Sequence, residues 1–270
     1  MLGFPLNPSA MPELANLFAR HRSIRRFKPE LIAPELVQAA CAEALAGGSS
    51  SGNLNSVSLV LTRDPERKER LWELHSRQDM VLTAPLVVTV CADWFRTRRW
   101  LARRGARDGF NDFLGYHVGA YDAMILAQNL ALAFESRGLG ICYLGTTLYA
   151  AGDLVDLLEL PETVMPVTTL VAGWPDEDPP KRDRLPIAGL VHDERYRLPN
   201  DAEVDAVFKE RERKGWQRYL AIPALRAAIE EAGVGSLAEF YTSRLKYDPD
   251  FLGERSEALY ATLQRQGFLP

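Results

Sequence analysis

The segment His21–Phe27 (HRSIRRF) carries a dense set of side chains that could bind an anion. Five of the six residues from His21 to Arg26 can donate hydrogen bonds from their side chains, and the histidine can also be charged. A phosphate dianion is costly to desolvate unless several charge-assisted donors meet it. The segment therefore indicates a phosphate site, with a solvated charged turn as the alternative.

A second basic segment, Lys181–Pro186, lies about 160 residues downstream. Arg182 and Arg184 are two positions apart, so in an extended chain their side chains point to the same side. They could close on the same anion from another direction. A charge cluster in a solvated loop is the alternative interpretation.

The polar loop Ser49–Asn55 offers hydroxyls, amides and backbone N–H groups just after a predicted helix. Such groups suit a ribityl chain or the edge of a flavin ring, and a flexible polar loop is the alternative.

Several common motifs fail. Gly138-Leu139-Gly140 resembles half of a dinucleotide fingerprint, but Tyr143 stands where the third glycine belongs, and a strand follows rather than precedes it. No CxxC or histidine pair at metal spacing occurs. The run Arg96–Arg107 contains six arginines and three interleaved or adjacent aromatic residues. We interpret it as a mobile solvated flap, with NAD(P)H capture and nucleic-acid binding as alternatives.

The elements that must position these residues alternate along the chain. Strands interleave with more numerous helices, which predicts an α+β fold with one sheet between helical layers. We assign a core to residues 1–200 and a helical extension to 201–270. Hydrophobic periodicity and capping signals predict strands at Val57–Leu61, Pro85–Ala92, Ile141–Leu144 and Val164–Gly173, and helices at Pro12–Arg20, Pro34–Ala46, Glu66–His75, Tyr116–Arg137, Gly152–Leu158, Ala202–Lys214 and Leu252–Gln266.

The composition is that of a globular protein, with 47% hydrophobic and 25% charged residues. The net charge of −4 argues against nucleic acid and anionic membranes as partners. No apolar run is long enough to span a bilayer, and residues 1–11 lack the features of a secretion signal. The three cysteines are far apart in apolar contexts, which favours free thiols and a cytoplasmic location.

Taken together and in order, the motifs resemble the nitroreductase superfamily, and within it the larger bacterial subgroup of NADPH-oxidising nitroreductases and flavin reductases. Gln78, ahead of the strand APLVVTVCAD, belongs to the pattern. The other matching segments are HRSIRRF at 21–27, SSSGNLNS at 49–56, DAMILAQNLALAFESRGLGICYLG at 122–145, MPVTTLVAGWPDEDPPKRDRLP at 165–186 and LVHDERY at 190–196. Each segment alone is weak evidence for the resemblance, whereas the ordered set is specific to this superfamily.

The resemblance implies a nitroreductase-like α+β fold, with a mostly antiparallel central sheet flanked by helices, in an intertwined homodimer with FMN at the interface. It also implies a ping-pong reaction in which NADPH or NADH reduces FMN and nitroaromatics, quinones or flavins then accept the electrons. The alternatives are a flavin-binding sensor or storage protein of the same fold without turnover, a reductive dehalogenase, and a flavin-cannibalising enzyme.

The resemblance also assigns roles to individual residues. His21, Arg22 and Ser23 would hold the FMN phosphate and nearby ribityl oxygens, and Arg25 would lie near N1/O2 of the ring. Gln78 would bond the pyrimidine edge. The remaining assignments are Ser49, Ser50, Ser51, Asn53 and Asn55 along the ribityl and pyrimidine side, Tyr143, Leu144 and Gly145 as a wall near the ring, and Arg182 and Arg184 at the phosphate.

The chain departs from the subgroup pattern at several positions. Thr146 replaces a frequent glycine, Arg182 replaces the usual lysine, and Asp79 replaces a basic residue. The arginine-rich loop that grips the NADPH 2′-phosphate has no clear match, so the preference for NADPH over NADH is weak. Rough candidates for that contact are Lys209, Arg211, Arg213 and Lys214.

Overall fold

The computed structural model describes residues 13–270, and the chain divides into two compact units. The first unit runs to Lys181 and takes in Ser256–Pro270, whereas the second is Arg182–Arg255. The boundary predicted at residue 200 lies within the second unit. The assignment of residues 1–200 to a core and of residues 201–270 to a helical extension stays a prediction.

The first unit is built on a four-stranded sheet in which every neighbouring pair is antiparallel. Its strands are β1 (Val57–Thr62), β2 (Leu86–Asp93), β3 (Gly140–Leu144) and β4 (Val164–Gly173), in the order β1-β2-β4-β3. All eight residues of β2 are buried, as its nearly continuous apolar sequence predicts. The four predicted strands and the α+β class are confirmed.

Helices cover both faces of this sheet. In the first unit they are α1 (Glu13–Arg20), α2 (Pro34–Ala46), α3 (Pro65–Leu74), α4 (Met80–Thr83), α5 (Phe95–Arg103), α6 (Phe113–Ser136) and α7 (Ala151–Leu157). The second unit contains α8 (Asp201–Leu220), α9 (Pro223–Glu231) and α10 (Leu237–Tyr241), and α11 (Pro249–Arg265) runs from the second unit into the first. Pro12, the predicted first residue of α1, lies outside the described residues.

The long helix α6 organises one face of the sheet. Asp112 caps it by accepting a hydrogen bond from the Gly115 backbone at 2.7 Å. Ala123, Leu126 and Leu130 pack with α2 and with the inward residues of β2, so the side of α6 that faces the sheet is fully buried. The other face of the sheet packs against α3 and α7 in a separate cluster.

The opposite side of α6 is apolar and exposed. Leu114 is 71% and Tyr121 64% exposed, and Met124 and Ile125 are also exposed. The sequence predicts that α6 is buried at a core or at a subunit interface. The side of α6 that faces the sheet is buried in the core, as this prediction states.

The arginine run Arg96–Arg107 differs from its prediction as a mobile flap. Its first part is α5, in which Arg96 contacts Asp93 at 2.8 Å and the Val57 carbonyl at 2.7 Å. Arg98 pairs with Asp108 at 2.7 Å and with Glu162 at 3.4 Å. Asp93 and Asp108 flank the run and Glu162 comes from a distant segment, and the pattern of arginines alone does not predict that these carboxylates hold α5.

The second unit has its own core around Ile229, Leu237 and Phe240. Its α8 begins with a capping box between Asn200 and Glu203. Within residues 13–270 no helix has the length and apolar character needed to cross a membrane, and no group of three metal-ligating side chains occurs.

Candidate functional site

The segment His21–Phe27 lies beside the edge strand β3. Ile24 donates its backbone N–H to the Ile141 carbonyl at 2.9 Å, and Ser23 and Ile141 form a parallel bridge. Ile24 and Phe27 are buried, which anchors the segment. Its polar side chains are thereby left at or near the surface, where a ligand can reach them.

His21 is held by a carboxylate at the end of α6. Its Nδ1 lies 2.7 Å from Oε1 of Glu135. Burial raises the pKa of the Glu135 carboxyl, and the contact with His21 opposes that rise. Burial and the charge of Glu135 also raise the pKa of Tyr143. Glu135 therefore orients the imidazole of His21.

The two arginines of the segment differ in availability. Arg22 donates from Nε to the Pro179 carbonyl at 2.8 Å and pairs with Asp178 at 3.1 Å. Asp178 is 83% exposed, so an incoming anion can replace it. Arg25 is exposed, and within residues 13–270 its guanidinium pairs with no carboxylate. It lies near Cys142 of β3, where its charge lowers a thiol pKa that burial raises more strongly.

A cavity of about 300 Å³ lies against this segment. Its lining includes Arg20, His21 and Arg22, together with the carboxylates of Glu135, Glu177 and Asp178. A phosphate can occupy it only if the cations exchange these carboxylates for the ligand, since like charges repel at short range.

The serine loop, defined here as Ser49–Ser56, is fixed by a buried carboxylate on α6. Asp122 accepts hydrogen bonds from the hydroxyls of Ser50 at 2.7 Å and Ser56 at 2.8 Å, and from the Ser51 backbone at 3.1 Å. The loop is thus ordered rather than flexible. The exposed polar side chains that it presents include Ser49, Asn53 and Asn55.

One chain does not bring the serine loop next to His21. Asp122 and Glu135 are 13 positions apart on α6 (135 − 122), which corresponds to roughly 20 Å along the axis and about 140° around it. The serine loop contacts Asp122, whereas His21 contacts Glu135. Ser23, Arg25 and Tyr143 gather near β3, whereas the serine loop lies toward the other end of the helix.

Gln78 lies in a small polar cluster with His75 and Thr146. Its Nε2 donates to the His75 carbonyl at 3.0 Å and approaches the Thr146 hydroxyl at 3.4 Å, and His75 Nδ1 lies 2.9 Å from the same hydroxyl. Thr146, the departure from the family pattern, therefore ties Gln78 to the end of β3. Gly145 has open space around it, as a wall next to a ligand requires.

The buried imidazole of His75 leads to a prediction about stability. Burial lowers its pKa from 6.5 to about 4, so below pH 6.5 the unfolded chain binds a proton that the folded chain does not. We expect the free energy of unfolding to fall by about 3 kcal/mol from this group as the pH drops from 6.5 to 4. Urea denaturation of wild type and His75→Gln at pH 7 and pH 4.5 measures the effect. An equal pH dependence in both proteins would contradict it.

Arg182 and Arg184 belong to the second unit. Between them, Asp183 pairs with Arg211 at 3.5 Å and with Arg218 at 3.6 Å, which fixes the segment to α8. Arg184 is exposed and lines a cavity of about 590 Å³ within this unit, together with Phe208, Arg211 and Tyr241. The convergence of Arg182 and Arg184 with His21 and Arg22 stays a prediction.

The rough candidates for a 2′-phosphate contact are largely engaged within their own unit. Arg211 contacts Asp183 and the Tyr241 hydroxyl, and Arg213 and Lys214 both pair with Glu210. They do not form an open cationic cluster, and the preference for NADPH or NADH stays open.

Four residues that order the candidate site are not predicted as such from the sequence: Asp122, Glu135, His75, and Thr146 as a hydrogen-bonding partner. One signal was present for Asp122, because it is the one charged carboxylate among the mostly apolar residues from Phe113 to Phe134. A lone carboxylate on an otherwise apolar helix requires a buried set of donors.

The sequence profile of the Nitroreductase family matches residues 18–174. That range contains the segment His21–Phe27, the serine loop, Gln78 and the end of β3. The chain belongs to the nitroreductase family. The resemblance inferred from the ordered motifs is thereby confirmed.

Individual nitroreductase relatives agree with this assignment. The chain is 34% identical to an FMN reductase [NAD(P)H] of Bacillus subtilis, over 69% of this chain and 75% of the relative. It is also 34% identical to an NADPH-flavin oxidoreductase of Vibrio harveyi, over 67% and 73%. The fold matches the crystal structure of a Bacteroides fragilis protein with a TM-score of 0.85 and 33% identity, covering 94% of this chain and 100% of that one.

Proposed function

We propose that this chain is an FMN-dependent oxidoreductase that takes hydride from NAD(P)H and delivers electrons to nitroaromatics, quinones, flavins or similar flat acceptors. Membership of the nitroreductase family and the names of its relatives support this. The single observation that carries it is the exposed Arg25 guanidinium, which no described carboxylate neutralises, beside β3.

The chemistry of the side chains fits FMN. Arg22 supplies a cationic donor for a phosphate once Asp178 is displaced, and the imidazole of His21 lines the same cavity. The serine loop supplies oxygens for a polyol, and Gln78 lies beside the β3 wall.

When bound, FMN supplies the hydride-accepting and electron-donating chemistry, so the protein supplies binding, orientation and charge. Arg25 would stabilise the negative charge that accumulates near N1/O2 on reduction. Tyr143, Leu144 and Gly145 would form one wall of the ring site. Within this proposal no protein acid is needed, since solvent can protonate many acceptors.

A homodimer completes the proposal. Within one chain the residues of α6 that contact the serine loop and His21 are roughly 20 Å apart along the axis and on different sides of the helix, so a site that uses both sets requires a second copy. The exposed apolar side of α6 is suited to that contact. The three cysteines are free, which supports our prediction of a cytoplasmic location.

Turnover separates this proposal from a flavin sensor of the same fold. We expect the purified protein to oxidise NADPH or NADH continuously when menadione or nitrofurazone is added, with the oxidation followed by nicotinamide absorbance. A protein that binds FMN but stops after one equivalent of NAD(P)H, with either acceptor present, would favour the sensor.

The proposed phosphate contact of Arg184 has a measurable consequence. Arg184→Ala should weaken FMN binding by about 1.5–3 kcal/mol, the usual contribution of a charge-assisted hydrogen bond. Titration of the apoprotein with FMN, followed by flavin fluorescence, measures it. Arg226→Ala is a matched control, because Arg226 is an exposed arginine of the same unit in an i,i+4 pair with Glu230. Equal FMN affinity in both variants and wild type would reject the assignment.

A further inference from the structure

Asp122 is a buried carboxylate for which the proposed reaction has no direct use. It is only 4% exposed and lies in the middle of the mostly apolar α6. Its two oxygens accept hydrogen bonds from the Ser50 and Ser56 hydroxyls, the Ser51 backbone and, at 3.3 Å, the Ser51 hydroxyl. Burying a charge is costly unless it is fully bonded, and this network compensates that cost.

The serine loop needs such an anchor. Gly52, Asn53 and Asn55 all have positive φ, at 58°, 55° and 50°. Left-handed conformations cost free energy for residues other than glycine and persist when surrounding contacts enforce them. The Asn55 backbone N–H also donates to the Ser50 hydroxyl at 2.8 Å, so the anchor at Asp122 reaches both ends of the strained stretch.

The anchor also determines what the loop can offer to a ligand. A serine hydroxyl has one proton, and those of Ser50 and Ser51 are directed to Asp122. Neither oxygen therefore keeps a proton for the ligand. The Ser50 oxygen, which also accepts the Asn55 backbone N–H, keeps one lone pair, and the exposed Ser51 oxygen keeps its lone pairs. Such oxygens accept hydrogen bonds from hydroxyl groups and repel an anion.

We propose that Asp122 is a positioning residue that makes the serine loop an acceptor surface for the ribityl hydroxyls of the flavin. This inference rests on the proposed function, since it assumes that the loop faces FMN. It specifies the part of the ligand that the loop recognises, namely the polyol rather than the phosphate.

Three flavins of decreasing size test the assignment: FMN, riboflavin without the phosphate, and lumiflavin without the ribityl chain. Dissociation constants are measured by quenching of flavin fluorescence. Asp122→Asn should weaken FMN and riboflavin about tenfold each, the effect expected when a charged acceptor is lost, and leave lumiflavin unchanged. Arg22→Ala should weaken FMN alone, because only FMN carries the phosphate.

A general loss of stability must be distinguished from a loss of positioning. Asp112→Ala removes the N-cap hydrogen bond of the same helix without touching the serine loop, and it should leave the affinities for riboflavin and lumiflavin unchanged. If Asp122→Asn does not fold, Ser51→Ala replaces it, because Ser51 is exposed and its removal takes away one acceptor. It should weaken riboflavin and spare lumiflavin.

Equal weakening of all three flavins by Asp122→Asn, or no weakening of any, would overturn the inference while leaving the proposed function intact. For Ser51→Ala the same two patterns would overturn it. A wild-type protein that binds none of the three flavins would instead reject the proposed function itself.

Discussion

Arg25→Ala should slow the reduction of bound FMN by NADPH roughly 100-fold, as expected for the loss of one preorganised hydrogen-bond donor that stabilises developing negative charge. The Arg25 guanidinium is exposed near β3 and pairs with no carboxylate of the described chain, so its charge is available to a ligand. Reduction concentrates negative charge at one edge of the flavin, and the guanidinium stabilises the reduced form more than the oxidised form. Some FMN should still bind, because the phosphate donors remain.

Stopped-flow measurement of flavin bleaching under anaerobic conditions gives this rate directly. Arg26→Ala is the matched control, because Arg26 is an adjacent exposed arginine that pairs with Glu177. Bleaching by Arg25→Ala at the wild-type rate would contradict the role assigned to this residue.

Tyr121→Asp should prevent dimer formation and, with it, retention of FMN. Tyr121 is 64% exposed on the apolar side of α6, next to Met124 and Ile125. A carboxylate introduced there would be buried at the interface without a partner. An unpaired buried charge is among the single changes that weaken an interface most. The monomer fold should survive, because the side chain lies away from the core.

Sedimentation equilibrium and flavin content measure the two effects, with Tyr121→Phe as the conservative control that should remain dimeric. The proposal that two copies of the chain form the FMN site together would be wrong in either of two cases. In the first, wild type is a monomer that retains FMN; in the second, Tyr121→Asp remains a dimer with full flavin content.

The sequence was most informative where local patterns decide the structure. The continuous apolar run of β2 and the proline and glycine signals around α2 predict elements that the structure reproduces to within about a residue. The short helices α9 and α10 are not predicted individually from the sequence, although Pro223 is the first residue of α9 and Ser236 is the N-cap of α10. Such short elements are stabilised by tertiary packing more than by their own propensities.

The side-chain partners could not be predicted from local patterns. Asp122 meets serines that lie 66 to 72 positions away, and Glu135 meets His21 from 114 positions away. Arg98 likewise pairs with Glu162, a residue of a different segment. These pairings depend on how α6 and the sheet pack, which no local spacing reveals.

The most direct measurement is the absorbance spectrum of the purified protein, saturated with FMN and freed of excess ligand, during anaerobic addition of NADPH. We expect a yellow protein whose flavin bands bleach with one equivalent of NADPH and return when nitrofurazone or menadione is added. A colourless protein that takes up no FMN, or bound flavin that neither NADPH nor NADH bleaches, would contradict it.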